Sequence, residues 1–170
     1  MLSKKMEQAL NDQVKWEYFS GYLYLAMAAY FEELGLAGFA NWMHVQEQEE
    51  RFHAERFYAF VNERGGRMVL QAIEAPPVTW ASPLAVFEES LAHERKVTAR
   101  INALMDLALK EKDHATAAFL QWFITEQVEE EASVTEVIQK LKLVESTPGG
   151  WFMLDKDLAL RVFTPPTVAK

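Results

Sequence analysis

The chain has 170 residues, half of them apolar and 12% aromatic, which suffices for one domain with a real core and excludes a disordered chain. It holds no cysteine, so disulfides, zinc ribbons and thiol nucleophiles are excluded together, and a reducing, cytoplasmic setting is expected. A net charge of −8 and a pI near 5.1 argue against nucleic acid as a partner and favour cations. The opening MLSKKMEQALNDQ lacks the apolar run of a signal peptide, and Tyr18–Phe31 is too short and too polar at its flanks to span a membrane, so no membrane partner is expected.

Four long stretches lack internal proline and repeat apolar residues at spacings of three and four, which predicts helices over about 4–33, 38–65, 83–111 and 114–143. Gly35 and Gly38 separate the first pair, and the short polar link Lys110–His114 separates the last pair, so each pair is expected to be antiparallel. Ser82-Pro83 reads as a helix start, with the serine as cap and proline at the first helical position. The link Gly66–Ser82 differs, being long and carrying Pro76-Pro77. Extended at ~3.3 Å per residue it reaches roughly 55 Å. A helix over 38–65 spans only about 42 Å. The link can therefore return along the whole bundle and leave the second and third helices parallel. The expected fold class is all-α: one domain over 1–170, a four-helix bundle over 4–143 with one long crossover, the ferritin-like arrangement. After the break STPGG, Trp151–Phe163 predicts a short fifth helix, either docked on its own bundle or held for a contact between copies.

At about 100° per residue, each helix face can be worked out. On the fourth helix Phe119, Phe123, Val134, Val137, Ile138 and Leu141 form an apolar stripe. Within the run TEQVEEEAS, Glu130 falls inside that stripe and Gln127 beside it. Glu126 sits at one edge with Glu129 beyond it, and Glu131 lies outside the other edge. On the second helix, Phe39, Trp42, Met43, Phe57, Phe60 and Val61 share a face with Glu50 and His53, and Glu49 is at its edge. Phe87, Leu91, Ile101, Met105 and Leu109 enclose Glu94 on the third, and Leu10, Val14, Tyr24 and Ala28 enclose Glu17 on the first. Given the predicted directions, all four inward glutamates stand at mid-bundle to within ~5–10 Å.

Four unpaired buried carboxylates would cost several kcal/mol each, by order of magnitude. The stripes carry no lysine or arginine near them; Arg56 reaches an edge, and Arg64 and Lys140 lie turns away. Protonation is one remedy and metal is another. Two divalent cations would neutralise four carboxylates, and Glu50-x-x-His53 puts a carboxylate and an imidazole on one face. A single Glu-x-x-His is common by chance and a lone inward glutamate often snorkels; the joint pattern on four helices is what favours metal. Oxygen and imidazole donors fit iron, manganese or zinc. His44, His93 and His114 read as structural or solvated. Tyr24, two turns past Glu17, could pass an electron or proton at a redox site, and Trp122 reads first as packing.

Taken together, Glu17, EERFH with Glu49, Glu50 and His53, HERKVT with Glu94, and FLQWFITEQVEEE with Gln127 and Glu130 resemble the bacterial non-haem ferritins, as does the tail GGWFMLDKDL. The resemblance covers nearly the whole chain. It implies a dinuclear ferroxidase centre with one iron on Glu17, Glu50 and His53. A second iron would lie on Glu94 and Glu130, with Glu50 bridging and Gln127 close by. It further implies a third iron site from Glu49, Glu126 and Glu129 with Glu130 shared, and a place for Tyr24 beside the centre. Fe(II) oxidation by O2 or hydrogen peroxide, a ferric oxyhydroxide mineral and a hollow shell of 24 subunits complete what it implies.

Related families fit less well. Bacterioferritins and diiron hydroxylases use a second Glu-x-x-His, whereas Ser133 follows Glu130 here; Phe52 replaces a haem-ligating methionine, so no haem is expected. Rubrerythrins need cysteine, and mini-ferritins build their centre between subunits. An oxygen-activating diiron enzyme and a structural bundle with protonated glutamates are the two rival readings.

Overall fold

A computed structural model describes residues 1–144, 146–147 and 149–165; Pro148 of the STPGG break and the last five residues of the expected domain lie outside that description. Five helices follow one another: α1 (Lys4–Glu33), α2 (Ala37–Glu63), α3 (Pro83–Lys110), α4 (His114–Val144) and α5 (Gly150–Leu158). The described elements are all α-helical, and no helix among the described residues is long and apolar enough to cross a membrane.

The caps explain where the helices start. Ser3 accepts a bond from the Met6 amide at 3.0 Å, and Ser82 accepts one from Ala85 at 3.1 Å with Pro83 behind it. Asp113 caps α4 by accepting from the Thr116 amide at 3.1 Å, and Arg64 at the end of α2 donates to the same carboxylate at 3.0 Å. The N-cap position of α2 is Leu36, which supplies no side-chain acceptor. Its bare amides are taken by α5 instead: Asp155 Oδ1 accepts from Gly38 at 2.8 Å and Phe39 at 3.1 Å. Glycine is required at position 38, because an added Cβ would stand 1.6 Å from the Asp155 carbonyl oxygen.

The crossover runs the length of α1. Asn11 holds Arg67 and Val69, Gln71 reaches Asp12 and Lys15 pairs with Glu74. Further on, Trp80 meets Tyr30 edge-on at 5.4 Å. The chain is thereby carried back to the end where α2 began, so α2 and α3 run parallel.

Two apolar clusters make the core. One gathers Leu23, Tyr24, Met27, Ala28 and Phe31 with Phe39, Ala40, Trp42 and Met43, Val86 and Phe87, the buried Val134–Leu141 side of α4, and Leu154 and Leu158 of α5. The other gathers Met6, Leu10 and Val14 with Phe57, Phe60, Val61, Val97, Ile101, Leu104, Leu120 and Phe123. Between them lies a belt of buried polar residues drawn from all four long helices.

Two expectations are corrected. On α3 the buried positions after Val97 are Ile101, Leu104 and Ala108, whereas Met105 is half-buried and Leu109 exposed. The face follows the 4-3-4 helical step rather than repeated fours. The fifth helix ends at Leu158 and does not reach Phe163. The Asn41 amide donates to the carbonyls of Leu158, Ala159 and Arg161, which draws the chain out of helical geometry and back along α2. α5 docks through Leu154 and Leu158 while Phe152 and Met153 stay exposed, so the two alternatives raised for it are compatible.

Candidate metal centre

The polar belt is built around Glu17, Glu50, His53, Glu94, Gln127 and Glu130, each at most 4% exposed. On α1, Gln13 lies one turn before Glu17 and donates to its Oε1 at 2.8 Å. Arg100 of α3 in turn donates to Gln13 Oε1 at 3.1 Å. On α2, Glu50 Oε2 stands 3.6 Å from His53 Nδ1. Both Glu50 oxygens and Glu17 Oε2 are buried with no hydrogen-bond partner among the described residues. One donor atom from each of Glu17, Glu50 and His53 falls within a mutual 4.8 Å.

A second convergence uses His53 again, with Glu126 and Glu130 of α4 inside the same limit. Gln46 of α2 donates to Glu130 Oε2 at 2.8 Å. Glu94 belongs to neither group. Tyr24 donates its hydroxyl to Glu94 Oε1, and Gln127 donates to Oε2 at 3.3 Å. At the rim, half-buried Glu49 accepts from Arg161 at 2.7 Å, and Glu129 is exposed.

Burial drives the electrostatics. It raises Glu17 to about 7, with the charge of Glu130 adding and Gln13 and Arg100 opposing. Burial followed by the Glu130 charge takes Glu94 to about 8 and both Glu126 and Glu49 to about 7. Glu50 is pushed well above the carboxylate range by burial and then by Glu94 and Glu17, and Glu130 is raised by burial against the bond from Gln46. His53 is held down at about 3 by burial and the nearby Arg56, so its imidazole is neutral. The belt therefore repels negative charge and lacks protons on its histidine, the condition that a divalent cation relieves.

Several residues that shape the belt are not visible as candidates in the sequence. Gln13 and Gln46 look like ordinary polar positions until their amides are seen orienting Glu17 and Glu130. Cations do reach the belt, from outside the stripes. Arg100 arrives from α3 and Arg161 from the segment after α5, neither of which shares a stripe with the glutamates they influence. Arg56 lies 3.9 Å over the Trp122 ring, which itself meets His53 edge-on at 5.5 Å. Glu131, outside the edge of the stripe, accepts from Thr98 at 2.7 Å. His93 is buried against Ser20 Oγ at 2.7 Å, His44 pairs with Glu32 at the surface, and His114 is exposed.

Fold and site together define a helical bundle with a buried carboxylate–histidine centre. A ferritin profile, described as a ferritin-like domain, matches residues 7–144. Bacterial non-heme ferritins of Staphylococcus aureus and Staphylococcus epidermidis are 41% and 44% identical over 163 residues, covering 96% of this chain and 98% of theirs. A crystal structure described as a novel open pore ferritin from Archaeoglobus fulgidus superposes with a TM-score of 0.93 at 52% identity, over 95% of this chain and all of that one. A closed form of that ferritin made by mutagenesis gives 0.95 at 52%, over 96% of this chain and all of that one. The chain belongs to the ferritin family.

Proposed function

We propose that this protein is an iron-storage ferritin with ferroxidase activity. It oxidises Fe(II) with O2 or hydrogen peroxide inside each bundle and stores the product as a ferric oxyhydroxide mineral in a hollow shell of 24 subunits. Glu17, Glu50 and His53 hold the first iron. Glu94 and Glu130 hold the second, with Glu50 bridging and Gln127 alongside. Glu49, Glu126 and Glu129, with Glu130 shared, form a third and looser site. The observation that carries this reading is Glu50, whose two oxygens are both buried and without a hydrogen-bond partner among the described residues, beside Glu17 and a neutral His53.

Iron is the substrate. Binding replaces protons on the raised carboxyl groups, so uptake of Fe(II) releases acid. Two Fe(II) then give up one electron each; O2 accepts the pair with two protons and leaves as hydrogen peroxide, or hydrogen peroxide accepts them with two protons and leaves as two waters. Gln13 and Gln46 keep one oxygen of Glu17 and of Glu130 in fixed orientation. Tyr24 does the same for Glu94 and stands where an electron or proton can be supplied. With Ser133 where a second Glu-x-x-His would put its histidine, and only the amide of Gln127 alongside, the second iron has mostly carboxylate donors. These suit ferric iron but do not close around it, so the oxidised ion can move on to the mineral. Exposed Phe152 and Met153 on α5 offer apolar surface for contacts between subunits.

Aerobic addition of Fe(II) followed by size-exclusion chromatography tests the proposal. A soluble assembly of several hundred kilodaltons carrying many irons per subunit is expected. A monomer or dimer that precipitates iron overturns it.

A further inference from the structure

After Leu158 the chain turns back over α2 and is fastened at both ends. The Asn41 amide holds the carbonyls of Leu158, Ala159 and Arg161 at 3.2, 3.4 and 3.0 Å. About three turns further along α2, the Phe163 ring meets Phe52 at 6.3 Å. Between these anchors the Arg161 guanidinium lies 4.3 Å over the Trp42 ring and donates from Nη2 to Glu49 Oε2 at 2.7 Å. Its Nη1 is buried with no partner among the described residues. Arg161 therefore brings a fixed positive charge to the α2–α4 rim, where Glu49 neighbours Glu50.

We propose that Arg161 is a built-in counter-cation that competes with iron for Glu49 and so sets how tightly the rim of the centre retains it. The inference rests on the reading of the centre as an iron site. Arg161 takes only Oε2 of Glu49, but a guanidinium and a metal ion on one carboxylate repel each other and divide its charge, so iron at the rim weakens the Arg161–Glu49 pair. When that pair weakens, Trp42 still offers a face for the cation and Asn41 keeps the segment on α2, so the segment loses one anchor among several and loosens without detaching. While the pair is closed, Glu49 is satisfied and the rim holds less negative charge, so iron in transit is not trapped there. The coupling is reciprocal, and iron at Glu49 must loosen residues 159–163 by as much as their contacts weaken iron.

Arg161 acts through Glu49 and is a positioning residue, so its test needs more than a rate. The probe is Fe(II) added without oxygen to the assembled protein and followed by calorimetry. Arg161→Gln keeps a hydrogen-bonding side chain and removes the charge; it should tighten the weakest Fe(II) class by roughly fivefold or more. Arg161→Lys should restore the original affinity. Adding Glu49→Gln to Arg161→Gln should abolish the gain, and hydrogen exchange over 159–163 should quicken when Fe(II) binds the unmodified protein. If Arg161→Gln titrates like the unmodified protein while a His53-dependent class remains, the role of Arg161 is overturned and the iron centre stands. If no His53-dependent class exists in either protein, both readings fall.

Discussion

His53 is a good metal donor because of where it is held. Burial and the charge of Arg56 keep it neutral down to about pH 3, so a ring nitrogen is free at any physiological pH. His53→Ala should abolish the tightest Fe(II) binding seen by calorimetry, and an unchanged isotherm would refute its place in the first site. Glu130 is proposed as a ligand of the second site, and Glu130→Ala should remove the fast phase of aerobic Fe(II) oxidation in stopped-flow measurements. Gln46 touches Glu130 but is not proposed to touch iron. Gln46→Leu should slow the same phase by about 10- to 100-fold, the usual cost of losing an orienting partner, with the fold intact by circular dichroism. The inward direction of Glu17, Glu50, Glu94 and Glu130 was legible in the sequence, because a carboxylate on an apolar stripe breaks a helical pattern. Gln13 and Gln46 break it more gently, since a buried amide needs only a partner.

Among the elements, α5 is small but fixes the start of α2. Asp155 supplies the cap that Leu36 cannot, and such a cap is worth about 0.5–2 kcal/mol. Asp155→Ala should lower the stability of the protein by about that amount. Gly38→Ala should do more, because the new methyl meets backbone rather than a movable side chain; α5 must shift, at a cost of about 1–3 kcal/mol beyond the lost cap. Thermal unfolding, with Trp151 fluorescence reporting the docking of α5, distinguishes the two variants. The existence of α5 was legible from its apolar spacing, but its task was not. Leu160, Val162 and Phe163 continue an apolar pattern past Leu158, and nothing local reveals that Asn41, far back in the chain, takes the carbonyls. Arg161 escaped notice for the same reason: periodicity places residues on helices, and the segment that carries it is not one.

For the whole molecule, the acidic belt makes stability depend on pH in an unusual direction. Glu17, Glu49 and Glu126 at about 7 and Glu94 at about 8 lie above their ordinary 4.5, so the folded protein binds more protons than the unfolded chain between those values. Their contribution is present at low pH and lost as pH rises through 7 and 8. His53 at about 3 and His93 at about 4 act oppositely, but only below their ordinary 6.5. Metal-free protein should therefore unfold at a higher temperature at pH 6.5 than at pH 8. Fe(II) without oxygen should stabilise it more at pH 8, where the carboxylates are free to bind. A metal-free midpoint that is flat or higher at pH 8 would contradict this account of the belt. The cap on α2 also bears on the order of folding. Asp155 stands 117 residues along the chain from Gly38, so a growing polypeptide exposes the first turn of α2 through the synthesis of the crossover, α3 and α4. The first amides of the helix that carries Glu50 and His53 are capped by one of the latest contacts to form, and the slow step of maturation should be the docking of α5.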